Sequence, residues 1–501
     1  MKPLKPIQLF LFTFFIFTGI QVQAQLFVEV PRSGTPMVHS KAVWLSAGKK
    51  LHPIASGQVS GSGNQSRTIL HQQRGSSFVA SASGLPDVSL GGMDVGDFNK
   101  DGLQDVIITG IGNNGKRIAG IYLQQKNGGF IKSQHQIPAL SDGSVQFGDY
   151  DKDGYLDVLI CGIADNGQAQ TIILRNNGNS LNPVQTPLPG IRFGKALWAD
   201  FSNTGRLDVL LTGKTDHEII TRLFIQQNGN FVASSPHFTP LYHSDAVSAD
   251  FDNDGLLDLM IAGQAKNGYP VTKYYLNRRN YQFIEGNNNG IRQLMNASLD
   301  AGDYDGDGFT DVVITGESLE RPYTLVLKNI QGKGFKDMMA GLPGLANGTA
   351  RWGDFDGDGD LDLYITGIDV CYNLVGSVYR CGLSSGHNLD IAESPLADVP
   401  IDFSRGPKYY FVFSSCYCDP ENTGKKSYHG FVSNIHKEKK DYDLNYEFNH
   451  LLTTQFPGWN FADRGHRTSN AFTSISDAEK GRKTVIASYL EDNYTIHYLN
   501  W

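Results

Sequence analysis

The sequence predicts an all-β propeller of seven four-stranded blades, and three observations carry that prediction. One motif recurs at a nearly constant period. Each period has room for four short strands and shows no sustained helical pattern. Glycines punctuate the chain, 56 in 501 residues, with no collagen-like triplet, which marks many tight turns.

The motif reads GDFNKDGLQDVIITG from Gly96, GDYDKDGYLDVLICG from Gly148 and ADFSNTGRLDVLLTG from Ala199. It continues as ADFDNDGLLDLMIAG from Ala249, GDYDGDGFTDVVITG from Gly302 and GDFDGDGDLDLYITG from Gly353. Its first Asp falls at 97, 149, 200, 250, 303 and 354, so the steps are 52, 51, 50, 53 and 51 residues. A period of this length means a propeller, solenoid or array. An eroded copy, AVWLSAGKKLHPIASG from Ala42, has lost the acidic residues but keeps the apolar strand and its ending. Its Gly57 lies 53 residues before Gly110, so Gly57, Gly110, Gly162, Gly213, Gly263, Gly316 and Gly367 mark seven units.

Within a unit the first strand ends at the Asp loop, and the second is the apolar run after it, such as Val106 to Thr109. The third resembles Ile121-Tyr122-Leu123 or Ile172-Ile173-Leu174, and the fourth follows an Asn/Gly turn such as Asn127-Gly128-Gly129. Short strands with regular turn signals argue for radial blades. A small residue precedes every first Asp and an aromatic follows it: Phe98, Tyr150, Phe201, Phe251, Tyr304 and Phe355. These predict close approach of the backbone there, with each ring packed in the core between blades.

The five intact loops follow D-x-[DN]-x-D-G-x-x-D, a pattern that gathers oxygen ligands. The side-chain candidates are Asp97, Asn99, Asp101 and Asp105; Asp149, Asp151, Asp153 and Asp157; Asp250, Asp252, Asp254 and Asp258; Asp303, Asp305, Asp307 and Asp311; and Asp354, Asp356, Asp358 and Asp362. Alternate positions one, three and five converge when the chain curls, the Gly at six permits the sharp turn, and the carbonyl at seven adds an oxygen. Those carbonyls belong to Leu103, Tyr155, Leu256, Phe309 and Asp360. So dense a set of hard oxygens suits Ca2+, about five ions in all, and neither zinc nor copper. An EF-hand would require Glu at position twelve and flanking helices. Position twelve is instead Ile108, Ile160, Ile261, Ile314 or Ile365, with a carboxylate at position nine and a strand after it. Solvated Asp/Gly turns are the plain alternative, but four carboxylates crowded without a cation repel one another. The third copy keeps Asp200 and Asp208 around Ser202 and Thr204, and is expected to be weak or empty.

These loops resemble the FG-GAP/VCBS repeat family, which includes the integrin α-subunit head and many secreted bacterial proteins. The resemblance covers roughly residues 25 to 400. It implies a propeller, most often seven-bladed, with calcium in hairpin loops on one face. It also implies adhesion or ligand binding more often than catalysis, although some such propellers are attached to hydrolases or lyases.

The formal charge of −8 leaves no basic stripe for phosphate neutralisation, which argues against a nucleic-acid partner. The first residues, MKPLKPIQLFLFTFFIFTGIQVQAQ, have a basic start, an apolar run and a small-x-small site at Val22-Gln23-Ala24. They predict a signal peptide cleaved after Ala24 and a secreted or periplasmic protein without a membrane span. Losing Lys2 and Lys5 with that leader takes the charge from −8 to −10, which five divalent ions would balance. Cys371 and Cys381 flank an expected turn and are placed to pair across it, whereas Cys161 reads as a buried free thiol. Sequons start at Asn64, Asn296, Asn347 and Asn493, which matter only in a glycosylating host.

After about Pro400 the period stops. PKYYFVFSSCYC and KSYHGFVSNIH read as strands and TVIASYLEDNYTIHYLNW as a hairpin, while Asp477 stands in a faint echo of the repeat. Phe27 lies 51 residues before Phe78, so FVEV reads as the fourth strand of a blade. Closure of the ring by the two ends would make eight blades; a separate small β domain at 401–501 is the alternative. Tyr428, His429, His436, His450, Asp463, Arg464, His466 and Arg467 would be the acid–base set of an extracellular carbohydrate-active enzyme, or simply a polar β surface. The leading expectation is a calcium-binding module for an extracellular glycan or protein.

Overall fold

In a computed structural model the chain is described over residues 27–382, apart from 31–32, 49, 60–64, 76, 228, 235 and 371–372, and over short segments between 409 and 499. Seven antiparallel four-stranded sheets form a ring of blades. The second blade is representative, with strands Val88–Gly96, Asp105–Gly112, Arg117–Gln124 and Phe130–Lys132 in sequence order from inside to outside. Its second strand is buried almost continuously because neighbouring blades cover both of its faces.

The ring closes at seven. Phe27–Val30 forms the outermost strand of the last blade, beside Leu374–Cys381, with Phe27 opposite Cys381. The expected N-terminal closure is therefore correct, but its partner is the third strand of a blade that begins at Ala346. Among the described residues, the C-terminal hundred contribute no strand to that blade, and the ring of seven replaces the eight-bladed alternative. At the seam, Trp44 Nε1 donates to the Arg351 carbonyl at 3.2 Å and the Met37 amide to Thr366 Oγ1 at 3.0 Å.

Aromatic packing between blades follows the period. Phe98, Tyr150, Phe201, Phe251, Tyr304 and Phe355 are all at most 5% exposed. Tyr150 stacks on Trp198 of the next blade at 5.7 Å, and Tyr304 on Trp352 at 5.7 Å. The small residue ahead of each loop makes room for that neighbour, since a Cβ on Gly148 would lie 2.7 Å from Trp198. Side chains of the innermost strands also cross between blades. Asp94 Oδ2 accepts the Phe147 amide at 2.8 Å, Gln146 Oε1 the Trp198 amide at 2.9 Å, and Asp300 Oδ2 the Trp352 amide at 2.9 Å.

Beyond the ring, Val412–Cys418, Ser427–Ser433, His466–Thr468 and Thr495–Leu499 form another sheet. Its last strand runs parallel to Ser427–Ser433. The leader, Asn64, Cys371, Asp477 and most of the expected C-terminal hairpin lie outside the described residues. Among the described residues, no helix is long and apolar enough to cross a membrane.

Candidate functional site

Each Asp loop joins an innermost strand to the second strand of its blade, and backbone amides curl it. The carboxylate at position one caps the turn: Asp303 Oδ1 accepts the Asp307 amide at 3.1 Å and Oδ2 the Gly308 amide at 2.8 Å. The position-five carboxylate accepts the amide at seven, as Asp307 does from Phe309 at 3.0 Å. Gly at position six has a positive φ in every loop, from 75° at Gly205 to 98° at Gly359, which disfavours any residue with a Cβ. Position four is left-handed as well, and at Lys152, Asn203 and Asn253 its side chain reaches the next blade's loop. Lys152 donates to the Thr204 carbonyl at 3.3 Å, Asn203 to Gly255 at 3.2 Å and Asn253 to Gly308 at 2.9 Å.

The Asp at position nine ties the loop to the blade. Asp311 Oδ2 accepts the Tyr304 amide at 3.1 Å and Oδ1 the Asn329 amide at 2.7 Å. Asp157, Asp258, Asp362 and Asp105 repeat that double bond, and all five are fully buried. Burial pushes the Asp157, Asp258, Asp311 and Asp362 carboxyls up to about 7, and the nearby loop carboxylates push the same way.

Four loops bring three carboxylates within reach of one ion: Asp149, Asp151 and Asp157; Asp250, Asp252 and Asp254; Asp303, Asp305 and Asp311; Asp354, Asp356 and Asp362. The loop from Asp97 to Asp105 has Asn99 at position three, and Asn99 Nδ2 bonds Asp101 Oδ2 at 3.0 Å. In the third copy Ser202 Oγ donates to Asp200 Oδ1 at 3.2 Å, and Asp208 still accepts the Gln226 amide at 2.9 Å. Asp200 and Asp208 thus keep the turn and the tie without the intervening carboxylates.

A cation fits the remaining lone pairs. Asp149 Oδ1, Asp252 Oδ1 and Asp305 Oδ1 are buried with no hydrogen-bond partner, an arrangement that is costly unless a positive charge sits beside it. Basic side chains flank three loops: Arg175 pairs with Asp151 and Asp153, Arg278 with Asp252 and Asp254, and Lys328 with Asp305 and Asp307. The motif gave no hint of them, because they stand at the end of the third strand, 17 to 20 residues past the ninth-position Asp.

A second feature lies at the other end of the innermost strands, about 20 Å away at the usual strand rise. Each of those strands opens with a β-bulge, and in each bulge one non-glycine residue is left-handed. These are His39, Leu90, Asp142, Phe193, His243, Asn296 and Asn347, with φ between 45° and 56°. All seven line one cavity of 330 Å³ at the mouth of the central channel. Phe193 and His243 stack there with ring centroids 4.9 Å apart. Two of the sequon residues, Asn296 and Asn347, therefore lie on this rim. Side chains of the C-terminal set from Tyr428 to Arg467 lie outside the described residues.

The family model for the FG-GAP-like repeat matches residues 97–160, 200–261, 250–314 and 303–365. Every match runs from the first Asp of one loop to the position-twelve Ile of the next. No curated protein matches the sequence. Among solved structures, the chain is similar to a variant of the Aleuria aurantia lectin in complex with α-methyl-L-fucoside, at 8% identity and TM-score 0.36, covering 71% of this chain and 95% of that one. A β-xylosidase, RS223, is similar at 12% identity and TM-score 0.28, covering 69% and 91%. A glycosyl hydrolase from Bacteroides ovatus is similar at 8% identity and TM-score 0.25, covering 63% and 91%.

Proposed function

Since the chain is an FG-GAP-repeat β-propeller, we propose that it serves outside the cytoplasm as a calcium-braced module that binds a glycan or a protein. One observation carries the reading: the carboxylate loops and the channel-mouth cavity occupy opposite ends of the innermost strands. The metal then belongs to the scaffold, and recognition has a separate concavity.

The ions would be held by positions one, three and five of the intact loops, with the seventh carbonyl and the ninth carboxylate beside them. A bound calcium ion would supply positive charge to the loop oxygens, relieving repulsion among the carboxylates and stiffening the turn. About five ions match the five intact loops. Export by the leader suits this reading, because calcium outside cells saturates weak sites.

The test is elemental analysis of the mature chain, together with binding to glycan and extracellular-protein arrays in calcium and in chelator. Bound calcium with calcium-dependent capture is the expected result. Absence of calcium, or turnover of a polysaccharide by the purified chain, would overturn the reading.

A further inference from the structure

The seven bulges share a property that folding alone does not require. A left-handed conformation is costly for a residue with a Cβ, and Leu90 and Phe193 are among the side chains least suited to it. Bulges re-aim side chains, and here all seven re-aimed residues line a single cavity. Cross-strand pairing resumes two residues after each of them in every blade.

The lining has two kinds of surface. Phe193 and His243, half-buried and stacked, form an aromatic platform. Asp142, Asn296 and Asn347 supply carboxylate and amide groups around it. Ser141 Oγ donates to Asp142 Oδ2 at 2.7 Å, and the Asn296 amide bonds Glu317, so both rim groups are oriented from behind.

Below the rim the channel holds Asp94, Asp245 and Asp300 against Lys41, Lys195 and Arg351, an even balance of charge. Lys195 Nζ pairs with Asp245 at 2.9 Å. Lys41 lines the mouth as well as the channel, its charge counted in that balance, and the rim adds the negative charge of Asp142. Burial holds the His39 and His243 rings below the usual imidazole range, which keeps them neutral near pH 7. Such a site disfavours an anion. It suits a ligand with one apolar face and several hydroxyls, each of which can donate and accept.

We propose that the channel mouth binds one uncharged pyranose unit of a saccharide, its C–H face on the Phe193–His243 pair and its hydroxyls on Asp142, Asn296 and Asn347. The inference rests on the reading of the propeller as a binding module, and adds the place and the ligand class. The cavity, 330 Å³, is at the small end of ligand pockets and admits one ring rather than a chain lying flat.

The experiment is titration calorimetry of the calcium-loaded mature chain with methyl pyranosides of D-glucose, D-galactose, D-mannose and L-fucose, and with methyl D-glucuronide. At least one neutral pyranoside binds, and the glucuronide binds more weakly. Phe193→Asn and His243→Asn, which place a residue tolerant of the left-handed conformation at each bulge, weaken binding by roughly tenfold or more. Melting temperature and calcium content stay those of the parent. If either variant folds poorly, the nearly isosteric Asp142→Asn carries the test with the same expected loss. Binding of no neutral pyranoside, a preference for the glucuronide, or binding indifferent to these substitutions would overturn the inference. Calcium uptake distinguishes the two failures: if it persists, the module reading stands and only this site falls, whereas its loss removes the reading itself.

Discussion

Phe27 lies directly opposite Cys381 at the outer edge of the seventh blade, joining residues from the two ends of the described propeller in one strand pair. The Phe27 ring is fully buried and reaches Tyr304 and Trp352 of two blades at 6.1 and 5.9 Å between centroids. Phe27→Ala is expected to cost about 3–5 kcal/mol, the usual loss for a large buried aromatic. Chemical denaturation of the calcium-loaded protein measures it. A loss near zero would mean that the last blade does not need its outer strand.

Chelation should lower the melting temperature. An ion bound to the native chain alone stabilises it by mass action, about 2.7 kcal/mol per site at a hundredfold excess over Kd. Calorimetric scans in calcium and in chelator make the comparison. Coincident scans would contradict the scaffold role given to the loops.

The loops are expected to be unequal. Asp303→Ala removes one oxygen from a group that also contains Asp305 and Asp311, so calcium stoichiometry should fall by about one ion. Asp200→Ala should leave stoichiometry unchanged, since Ser202 and Thr204 fill that loop. It should still destabilise, because Asp200 accepts the Thr204 amide at 3.0 Å. Asp208→Ala strands the buried Gln226 amide and should cost about 1–3 kcal/mol, again without loss of an ion. Equilibrium dialysis and denaturant melts separate the two effects.

The blades were legible because the same side chains recur wherever the same geometry must be built. A left-handed glycine at position six, an aromatic at two and a buried Asp at nine each answer a local demand made in every blade. The partner of the N-terminal strand was not legible. The 51-residue offset from Phe27 to Phe78 identifies the kind of strand, whereas its neighbour is fixed by ring closure. The channel mouth was hidden for the opposite reason. His39, Leu90, Asp142, Phe193, His243, Asn296 and Asn347 hold one backbone position with largely different side chains, and Leu90 and Phe193 are of types that seldom adopt the left-handed conformation. Their shared spacing and the glycine after four of them, at 91, 143, 194 and 348, were the available signal.

The seam between the first and last blades should weaken in mild acid, and His71 is the reason. Its ring is 1% exposed, faces Tyr364 of the seventh blade at 5.8 Å, and is fully bonded when neutral. Nδ1–H donates to the Pro53 carbonyl at 3.3 Å, which leaves Nε2 to accept from Thr35 Oγ1 at 2.9 Å. Burial lowers the His71 pKa from 6.5 to about 4, so the unfolded chain takes up a proton at a higher pH than the folded one. Stability therefore rises with pH between about 4 and 6.5 and is fully present above that window. The span corresponds to roughly 3 kcal/mol from this one side chain. His71→Gln, which cannot titrate, should flatten that part of the profile. The comparison is made in chelator, so that the pH dependence of calcium binding does not enter, and as a difference between parent and variant, so that the loop carboxylates cancel. An unchanged slope in the variant would show that His71 remains neutral in the unfolded chain as well, or that the seam opens before it titrates, and either result would refute the assignment.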